Sequence, residues 1–300
     1  MHLGIDLGGT KIEAIVINTN GVEVFRKRIA SPRGCYAKTL DALAGLFNVA
    51  QKGTGTILSV GLGIPGSLSP QTGLVRNANS TWLIGEALQS DLSKKLGMSV
   101  VIANDADCFT LSEACDGAAA TKTCVLGLIL GTGVGGGLCI GQQIISGPNR
   151  ITGEWGHNPI TGLGPGEASR DCYCGRQNCI ETFLSGPGLA RSYQEITKDS
   201  TTKSEDLVRD MRNGHVQAIA CFNRYLDLLG RALATPINIL DPDAIVIGGG
   251  LSNIDELYSQ LPNAVLPHIF SDTFETPILK AMHGDASGVR GAAWLGMQAD

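Results

Sequence analysis

Residues 4–11, GIDLGGTK, form a predicted apolar strand that carries one carboxylate and ends in a Gly-Gly-Thr turn. A similar stretch, LILGTGVG, occupies residues 128–135. Each is followed by a predicted hairpin, the first over residues 11–30 with Asn20-Gly21 at its turn and the second over 136–147. The echo predicts an internal duplication, although glycine-rich strand turns also coincide by chance.

The rest of the chain alternates strands and helices. Strands are predicted at 57–66 and 98–105, and helices at 36–51, from 106 to Gly117, and twice within 205–239. A further strand is followed by Gly248–Gly250 and by a helix for which Ser252 and Asp255 suggest a capping box. This order favours an α/β protein with a ligand in a cleft between two lobes. We expect the N-terminal lobe to comprise residues 1–118 and the C-terminal helix (287–300), and the C-terminal lobe to comprise residues 119–286.

Composition excludes several classes of protein. Of 300 residues only 5% are aromatic, and the net charge is −5, so neither stacking of single-stranded nucleic acid nor binding of its phosphates is expected. The longest apolar stretch, from Cys124, is interrupted by glycines and predicts two buried strands rather than a membrane span. No signal peptide is recognisable at the N-terminus. We therefore expect a cytoplasmic protein with reduced thiols, without nucleic-acid or membrane partners.

Three glycine turns are candidate phosphate cradles, because successive backbone N–H groups without side chains can surround an anion. They are Gly8–Thr10, Gly131–Gly137 and Gly248–Gly250. None has the spacing of a Walker A loop, and the second fits a dinucleotide fingerprint only in letters, because a strand rather than a helix follows it. Each alone is also compatible with an ordinary tight turn, but together they favour a nucleotide.

Two acidic residues are candidates for chemistry. Asp6 lies in an apolar strand before the first turn, where a carboxylate is costly unless it meets a cation or donors. It is a candidate to hold a hydrated Mg²⁺, with Lys11 nearby, or it is a structural, hydrogen-bonded residue. Asp105 ends a strand and begins a helix, beside Asn104. It is a candidate general base for a substrate hydroxyl, or alternatively a helix N-cap.

Three of the nine cysteines lie within eight positions, as Cys172-x-Cys174-x₄-Cys179. A disulfide set would leave one of them unpaired, and His157 lies fifteen residues before the first. Three cysteines and one histidine form a common structural zinc site. We expect a zinc site rather than a redox pair or a chance cluster.

Taken together, these motifs resemble one family, the ROK sugar kinases (repressor, open reading frame, kinase). The resemblance is carried by GIDLGGTK, GIPG, ANDA, LGTGVGGG, GEWGH and CYCGRQNCIE, and extends to DPDAIVIGGGLSN and HGDASGVRGAAWL. One residue departs from the family pattern, which has glycine where this chain has Asn178. Asparagine tolerates left-handed backbone well, so we expect the loop to be kept.

The resemblance implies an actin-like (ribonuclease H-like) duplicated ATPase fold that binds ATP and Mg²⁺ and phosphorylates a hexose. It implies Asp105 as general base, and sugar binding by Gly66, Asn79, Asn104, Asp105, Glu154, His157 and Glu181. For ATP it implies Gly4, Ile5, Asp6, Leu7, Gly8, Gly9, Thr10 and Lys11. It adds Gly131, Thr132, Gly133, Val134, Gly135, Gly136, Gly137, Leu138, Cys139, Ile140, Gly248, Gly249 and Gly250. Structural zinc would be held by His157, Cys172, Cys174 and Cys179.

Within the family, the chain looks most similar to bacterial fructokinases that also accept mannose, which implies transfer to the 6-hydroxyl of fructose. N-acetylglucosamine kinases are the alternative, because they share LILGTGVGGGL and GGGLSN. A sugar-responsive repressor of the same family is the competing class. It would need a DNA-binding domain before the first strand, which is predicted to start near Leu3. By analogy we expect a homodimer.

Overall fold

The computed structural model describes residues 1–298, and the chain divides into two compact units. The first comprises Met1–Thr123, Gly137–Thr152 and Met282–Asp300, and the second comprises Cys124–Gly136 and Gly153–Ala281. Residues 137–152, which the sequence placed in the C-terminal lobe, belong to the first unit. The last two residues of the predicted C-terminal helix, 299 and 300, lie outside the described residues.

Twelve strands and nine α-helices are found within residues 1–298. The strands are β1 His2–Leu7, β2 Lys11–Ile17, β3 Glu23–Ala30, β4 Ser59–Ile64, β5 Ser67–Leu68, β6 Val75–Arg76, β7 Val100–Asn104, β8 Cys124–Leu130, β9 Val134–Ile140, β10 Gln143–Ile144, β11 Ala244–Gly248 and β12 Ile278–Lys280. The helices are α1 Tyr36–Thr54, α2 Leu88–Leu96, α3 Asp105–Cys115, α4 Glu181–Leu184, α5 Gly186–Thr197, α6 Ser204–Arg212, α7 Val216–Leu240, α8 Glu256–Val265 and α9 Ser287–Gln298.

The first sheet has the strand order β3-β2-β1-β4-β7. Strands β1, β2 and β3 form an antiparallel meander, and β4 and β7 continue the sheet in parallel with β1. In this register Asp6 lies opposite Glu13 on one side and Gly63 on the other. The sheet therefore places the carboxylate of the first motif in its middle strand, next to the glycine turn.

The second large sheet has the order β10-β9-β8-β11-β12, which repeats the first strand for strand. Strands β8, β9 and β10 take the places of β1, β2 and β3, and β11 and β12 follow in parallel as β4 and β7 do. The stretch from Cys124, predicted as two buried strands, is β8 and β9. The duplication predicted from the echo of the glycine turns is confirmed by this common order.

Glycines in the first sheet allow α9 to lie directly on the strands. A Cβ atom at Gly4 would lie 2.2 Å from the carbonyl oxygen of Val289, and one at Gly61 only 1.8 Å from that of Ala292. Such distances are far below van der Waals contact, so the packing of this helix requires glycine at both strand positions. Gly4, which the family resemblance assigns to ATP, therefore has a role in helix packing as well.

Residues 137–152 join the first unit because the end of β9 packs against α3. A Cβ atom at Gly137 would lie 2.5 Å from Oγ1 of Thr110 and 2.7 Å from the carbonyl oxygen of Ala106. This close approach could not be read from a glycine-rich strand, which explains the difference from the predicted boundary.

The core of the second unit is built mainly around α7 and the strands β8 and β11. Leu226, Leu229 and Leu233 of this helix are buried, as are Ile245 and Ile247 of β11. None of the helices within residues 1–298 combines the length and the apolar character that a membrane crossing requires.

The predicted capping box before α8 is not formed. Gly250–Asn253 makes a short 3₁₀ turn, in which the Ser252 hydroxyl donates to the carbonyl of Gly249 at 2.6 Å, and α8 begins at Glu256. The serine therefore closes the glycine turn instead of capping the helix, because the 3₁₀ turn moves the start of α8 to Glu256 and leaves Ser252 three residues before the N-cap position, Asp255.

Candidate active site and metal centre

Asp6 carries a half-buried carboxylate with unfavourable surroundings. Burial raises its pKa to about 7, the neighbouring acids Asp105 and Glu13 act in the same direction, and Lys11 partly opposes them. Across residues 1–298, no hydrogen bond to this carboxylate is present. A carboxylate in such a place is suited to a bound cation, which would restore its charge.

Asn104 and Asp105 divide two roles at the start of α3. Asn104 is the N-cap, because its Oδ1 accepts a hydrogen bond from the N–H of Ala106 at 2.8 Å, and its Nδ2 donates to the carbonyl of Gly66 at 3.1 Å. Asp105 is the first residue of the helix and half-buried, with its Oδ1 2.9 Å from the same N–H. The alternative role predicted for Asp105, that of N-cap, is thus filled by Asn104.

The strand-to-loop connection after β4 brings Gly66 and Asn79 into the same region as Asn104. A Cβ atom at Gly66 would lie 2.8 Å from the carbonyl oxygen of Arg76, so the loop closes tightly on itself. The Asn79 backbone N–H donates to Pro65 at 3.2 Å, and its side chain is exposed. Three of the residues predicted to bind sugar therefore lie around one loop of the first unit.

The first glycine turn is open to ligands. The N–H of Gly8 donates to the carbonyl of Lys11 at 2.9 Å, which closes the turn, and Gly9 and Thr10 are exposed. Arg33 was not predicted for this site, yet its Nε donates to the carbonyl of Gly9 at 2.9 Å. Its position in a loop distant in sequence carried no signal of this contact.

Some residues assigned to ATP by the family resemblance offer only their backbone. The side chains of Ile5, Leu7, Leu138 and Cys139 are buried among apolar neighbours. These residues hold the turns in place, so any ligand contact must come from N–H or C=O groups.

The second and third glycine turns meet in the second unit. A Cβ atom at Gly249, whose φ is +82°, would lie 2.5 Å from the carbonyl oxygen of Leu130, and Gly131 lies beside both Gly249 and Gly250. The N–H of Gly186, at the start of α5, donates to the carbonyl of Gly131 at 2.8 Å. The structure thus joins two of the predicted phosphate turns and adds Gly186, which sequence reasoning missed.

Glu181 lies against the second glycine turn. Its Oε2 accepts a hydrogen bond from the N–H of Val134 at 2.9 Å, and a Cβ atom at Gly133 would lie 2.5 Å from the same oxygen. The turn therefore already binds one anionic oxygen through its backbone, as expected of a phosphate cradle.

Glu154 and His157 delimit a short 3₁₀ turn that is held on the same glycine segment by Trp155. The indole N–H of Trp155 donates to the carbonyl of Gly135 at 3.0 Å, and a Cβ atom at Gly136 would lie 2.9 Å from the indole ring. The tryptophan of GEWGH was not predicted to contribute. It positions both Glu154 and His157 relative to β9.

The predicted zinc ligands are brought together. One ligand atom from each of His157, Cys172, Cys174 and Cys179 lies within 4.8 Å of the others. Two of the distances, Cys174 Sγ to Cys179 Sγ and Cys172 Sγ to His157 Nδ1, are 3.6 Å. Tetrahedral zinc with Zn–S bonds of about 2.3 Å separates its sulfur ligands by about 3.8 Å, so this cluster fits the metal.

The other ring nitrogen of His157 is also engaged. Its Nε2 lies 3.0 Å from the hydroxyl of Tyr173, and the two rings meet edge to face with centroids 5.2 Å apart. Such an outer hydrogen bond fixes the orientation of a metal-binding imidazole. Nδ1 of His157 therefore faces the cysteines while Nε2 faces Tyr173. The contact with Tyr173 could not be predicted from the sequence.

Asn178, the departure from the family pattern, adopts the left-handed backbone that was predicted, with φ +56°. Its Oδ1 accepts hydrogen bonds from the N–H of Arg170 at 2.8 Å and from the hydroxyl of Ser169 at 3.2 Å. Its own N–H donates to the carbonyl of Arg170. Asparagine thus keeps the turn and adds side-chain bonds that glycine lacks.

Comparison with known proteins identifies the family. The family model described as "ROK family" matches residues 2–299. The chain belongs to the ROK family.

Relatives and solved structures of the ROK family agree with this assignment. The N-acetyl-D-glucosamine kinase of Yersinia enterocolitica is 41% identical over 300 residues, which cover 98% of this chain and 99% of that protein. The ROK hexokinase of Thermus thermophilus is 28% identical with a TM-score of 0.87, covering 99% of this chain and 98% of the other. The Streptomyces griseus ROK glucokinase, solved with glucose and AMPPNP, is 26% identical with a TM-score of 0.78, covering 99% of both chains.

These matches confirm the expected ROK sugar kinase and its actin-like ATPase fold. They do not support the more specific prediction of a fructokinase, because the curated relatives at about this identity are named N-acetyl-D-glucosamine kinases.

Proposed function

We propose that this ROK protein is an ATP-dependent N-acetyl-D-glucosamine kinase that transfers the γ-phosphoryl group of ATP to the 6-hydroxyl of the sugar. The observation that carries the choice of sugar is the 41% identity to an N-acetyl-D-glucosamine kinase along 98% of the chain. Fructose, which the sequence motifs favoured, and mannose become the substrates against which this proposal is tested.

Asp105 is proposed as the general base. It lies at the start of α3, half-buried, beside an asparagine whose side chain is fixed by two hydrogen bonds. A carboxylate there would accept the proton of the sugar hydroxyl as that oxygen attacks phosphorus, while Asn104 fixes the loop at Gly66. Proton transfer to a positioned base contributes about 10²- to 10⁴-fold in rate.

The remaining sugar contacts are proposed for Asn79, Glu154 and Glu181, and for Nε2 of His157, where a sugar hydroxyl would take the place of the Tyr173 hydroxyl. Their polar side chains can accept and donate hydrogen bonds to ring hydroxyls. Because Glu181 Oε2 is engaged by Val134, its other oxygen is the one proposed for the sugar.

The glycine turns are proposed to bind ATP through backbone N–H groups. Gly8–Thr10 and Gly131–Gly137 would contact the phosphates, with Asp6 and Lys11 beside the first turn, and Gly248–Gly250 would hold the nucleoside side. Magnesium, when bound near Asp6, would neutralise charge that develops on the phosphoryl oxygens. The half-buried carboxylate of Asp6, whose raised pKa Lys11 only partly opposes, fits that cation.

The cluster at Cys172 is proposed to bind structural zinc. It joins the loop that carries His157 to the segment that leads into α4 and Glu181. Zinc would stabilise this loop region and orient its side chains without taking part in phosphoryl transfer.

A coupled ADP-release assay with Mg-ATP tests the proposal with N-acetylglucosamine, fructose, mannose and glucose. We expect kcat/KM for N-acetylglucosamine to exceed the others by about tenfold or more, since a pocket built for a polar group discriminates against sugars that lack it. The Asp105→Asn variant controls for contaminating kinases, and zinc content is measured on the same preparation. A preference for fructose would reverse the choice of substrate, and inactivity on all four sugars would reject the proposed function.

A further inference from the structure

Arg170 is a buried arginine that no site described above includes. Its side chain is only 3% exposed, although it lies two residues before the cysteine cluster. Nη1 donates to the carbonyls of Thr182 at 2.7 Å and Gly188 at 3.0 Å, and Nη2 donates to Ser192 Oγ and to Glu195 Oε2, both at 3.0 Å. One guanidinium therefore joins the start of the loop that carries the three cysteines (residues 170–180, the zinc loop below) to α4 and α5.

The group also packs under α4. The carbon of its guanidinium lies 4.2 Å from the centroid of the Phe183 ring, and Thr182, whose carbonyl it binds, directly follows Glu181 in the same short helix. A helix of four residues has little stability of its own. Its position must therefore come from such tertiary contacts.

What α4 and α5 hold in place are parts of the proposed site. Glu181 binds the N–H of Val134, and Gly186, at the start of α5, binds the carbonyl of Gly131. Any displacement of these helices would move both contacts of the second glycine turn together. Arg170 thus lies one step behind Glu181 and Gly131 without contacting either.

The hydrogen-bond partners around residue 170 require an arginine side chain. Burying a cation is costly, and the carboxylate that pairs with it, Glu195, is 42% exposed in its side chain. A planar guanidinium can satisfy two carbonyls, a hydroxyl and a carboxylate at once, whereas the single nitrogen of lysine cannot span them. Arg191 shows the contrast, because it pairs with the same Glu195 at 3.1 Å but is 47% exposed.

We propose that Arg170 is a positioning residue for sugar phosphorylation, fixing Glu181 and the second glycine turn through α4 and α5. This inference rests on the roles proposed above for Glu181 and for that turn. It assigns to the zinc loop a second connection to the site, separate from the metal itself.

A cavity beside the guanidinium makes the proposal testable by chemical rescue. It has a volume of about 250 Å³ and is lined by Arg170 together with Phe183, Glu195, Cys221 and Tyr225. Shortening Arg170 to alanine would extend this cavity by the volume of the lost side chain. Free guanidinium ion can then enter and restore the missing hydrogen bonds.

The experiment compares Arg170→Ala and Arg170→Lys with Arg191→Ala, a control that removes the exposed partner of the same glutamate. For both Arg170 variants we expect KM for N-acetylglucosamine to rise about tenfold to a hundredfold, since a small misplacement of a binding group has effects of that size. Millimolar guanidinium chloride should recover part of the loss in Arg170→Ala, whereas sodium chloride should not. Arg191→Ala should match the wild type.

Calorimetric binding of Mg-ADP gives a second readout that needs no sugar. It should weaken in both Arg170 variants, because the second turn is displaced. A lowered unfolding temperature with unchanged KM and ADP affinity in Arg170→Lys would overturn the proposal, and so would equal recovery by sodium chloride. If the wild type phosphorylates none of the sugars, the proposed function fails, while ADP binding still decides the role of Arg170.

Discussion

The two halves of this protein use the same turn in opposite ways. In β1 the residue two places before the first glycine of the turn is Asp6, whereas in β8 the corresponding residue is Ile129. Both are half-buried at matching places in sheets of the same strand order. The first turn adds a charged group that needs a cation, and the second is apolar and meets an anionic oxygen from Glu181 with its backbone alone.

This difference shows how a duplicated scaffold can take on distinct tasks. The two halves share their strand order and their glycine turns. The charge at each turn depends on one side chain, Asp6 in the first half and Ile129 in the second. The acidic residues of the first unit, Asp6 and Asp105, serve proton and cation chemistry in the proposed reaction. The second unit contributes backbone donors and the metal cluster.

The strongest test of this division is Asp105→Asn. We expect kcat to fall about 10²- to 10⁴-fold with little change in KM for the sugar, because the amide keeps the shape but cannot accept a proton. Steady-state kinetics and circular dichroism measure the two effects. Asp91→Asn, which removes an acid from the first turn of α2, is the matched control and should keep full activity. Loss of folding in Asp105→Asn would instead indicate a structural role.

Asp6→Asn tests the charge at the first turn through stability. The folded state raises the pKa of Asp6 from 3.8 to about 7, so it favours the neutral acid. The resulting stabilisation is complete below pH 4 and is lost as the pH rises through 7. Without magnesium, the free energy of unfolding of the Asp6→Asn variant should therefore exceed that of the wild type by about 2 to 4 kcal/mol at pH 8. At pH 4 the two proteins should differ little.

Urea unfolding at the two pH values, with EDTA present, measures this difference. Asp116→Asn provides a control of opposite sign. Burial raises the pKa of Asp116, but hydrogen bonds from His283 and Arg290 outweigh it and leave the pKa lowered. That variant should lose stability at pH 8. An Asp6→Asn variant that is less stable than the wild type at pH 8 would contradict the account of the first turn.

The smallest expected effect is a difference in stability between alanine substitutions at one glycine in each half. Gly249→Ala should lower the free energy of unfolding by about 2 kcal/mol, because φ is +82° and the new Cβ would clash with the backbone oxygen of Leu130. At Gly9 the nearest atom to a new Cβ is Ser80 Oγ at 3.6 Å, an ordinary contact, so Gly9→Ala should stay within about 0.5 kcal/mol. Thermal unfolding of both variants compares them, and equal losses would refute this contrast.

Much of the site could be predicted because its signals are local. The spacing of the three cysteines and His157 predicted the metal cluster that the fold assembles. Asn20-Gly21 predicted the first hairpin, and the left-handed φ of Asn178 followed from the tolerance of asparagine for that conformation. In each case a few neighbouring residues determine the conformation.

Contacts between distant segments could not be predicted. Arg33 at the first turn, Trp155 on Gly135 and Arg170 under α4 are each joined to their partners by tertiary packing. At Ser252 the local sequence predicted a capping box that is not formed, and the serine hydroxyl donates to the carbonyl of Gly249 instead. The choice of sugar could not be predicted either, because the motifs are shared among ROK kinases. The identity along the whole chain favours N-acetylglucosamine over the fructose that the motifs suggested.

Residue type and short spacing were enough to predict the duplicated α/β scaffold, the acidic candidates for the site and the cluster of His157 with the three cysteines. Tertiary structure alone decided that Gly4 serves α9, that residues 137–152 join the first unit, and that Arg170 lies behind Glu181. Those outcomes depend on which surfaces approach within a few ångströms, and such approach is set by packing over the whole chain.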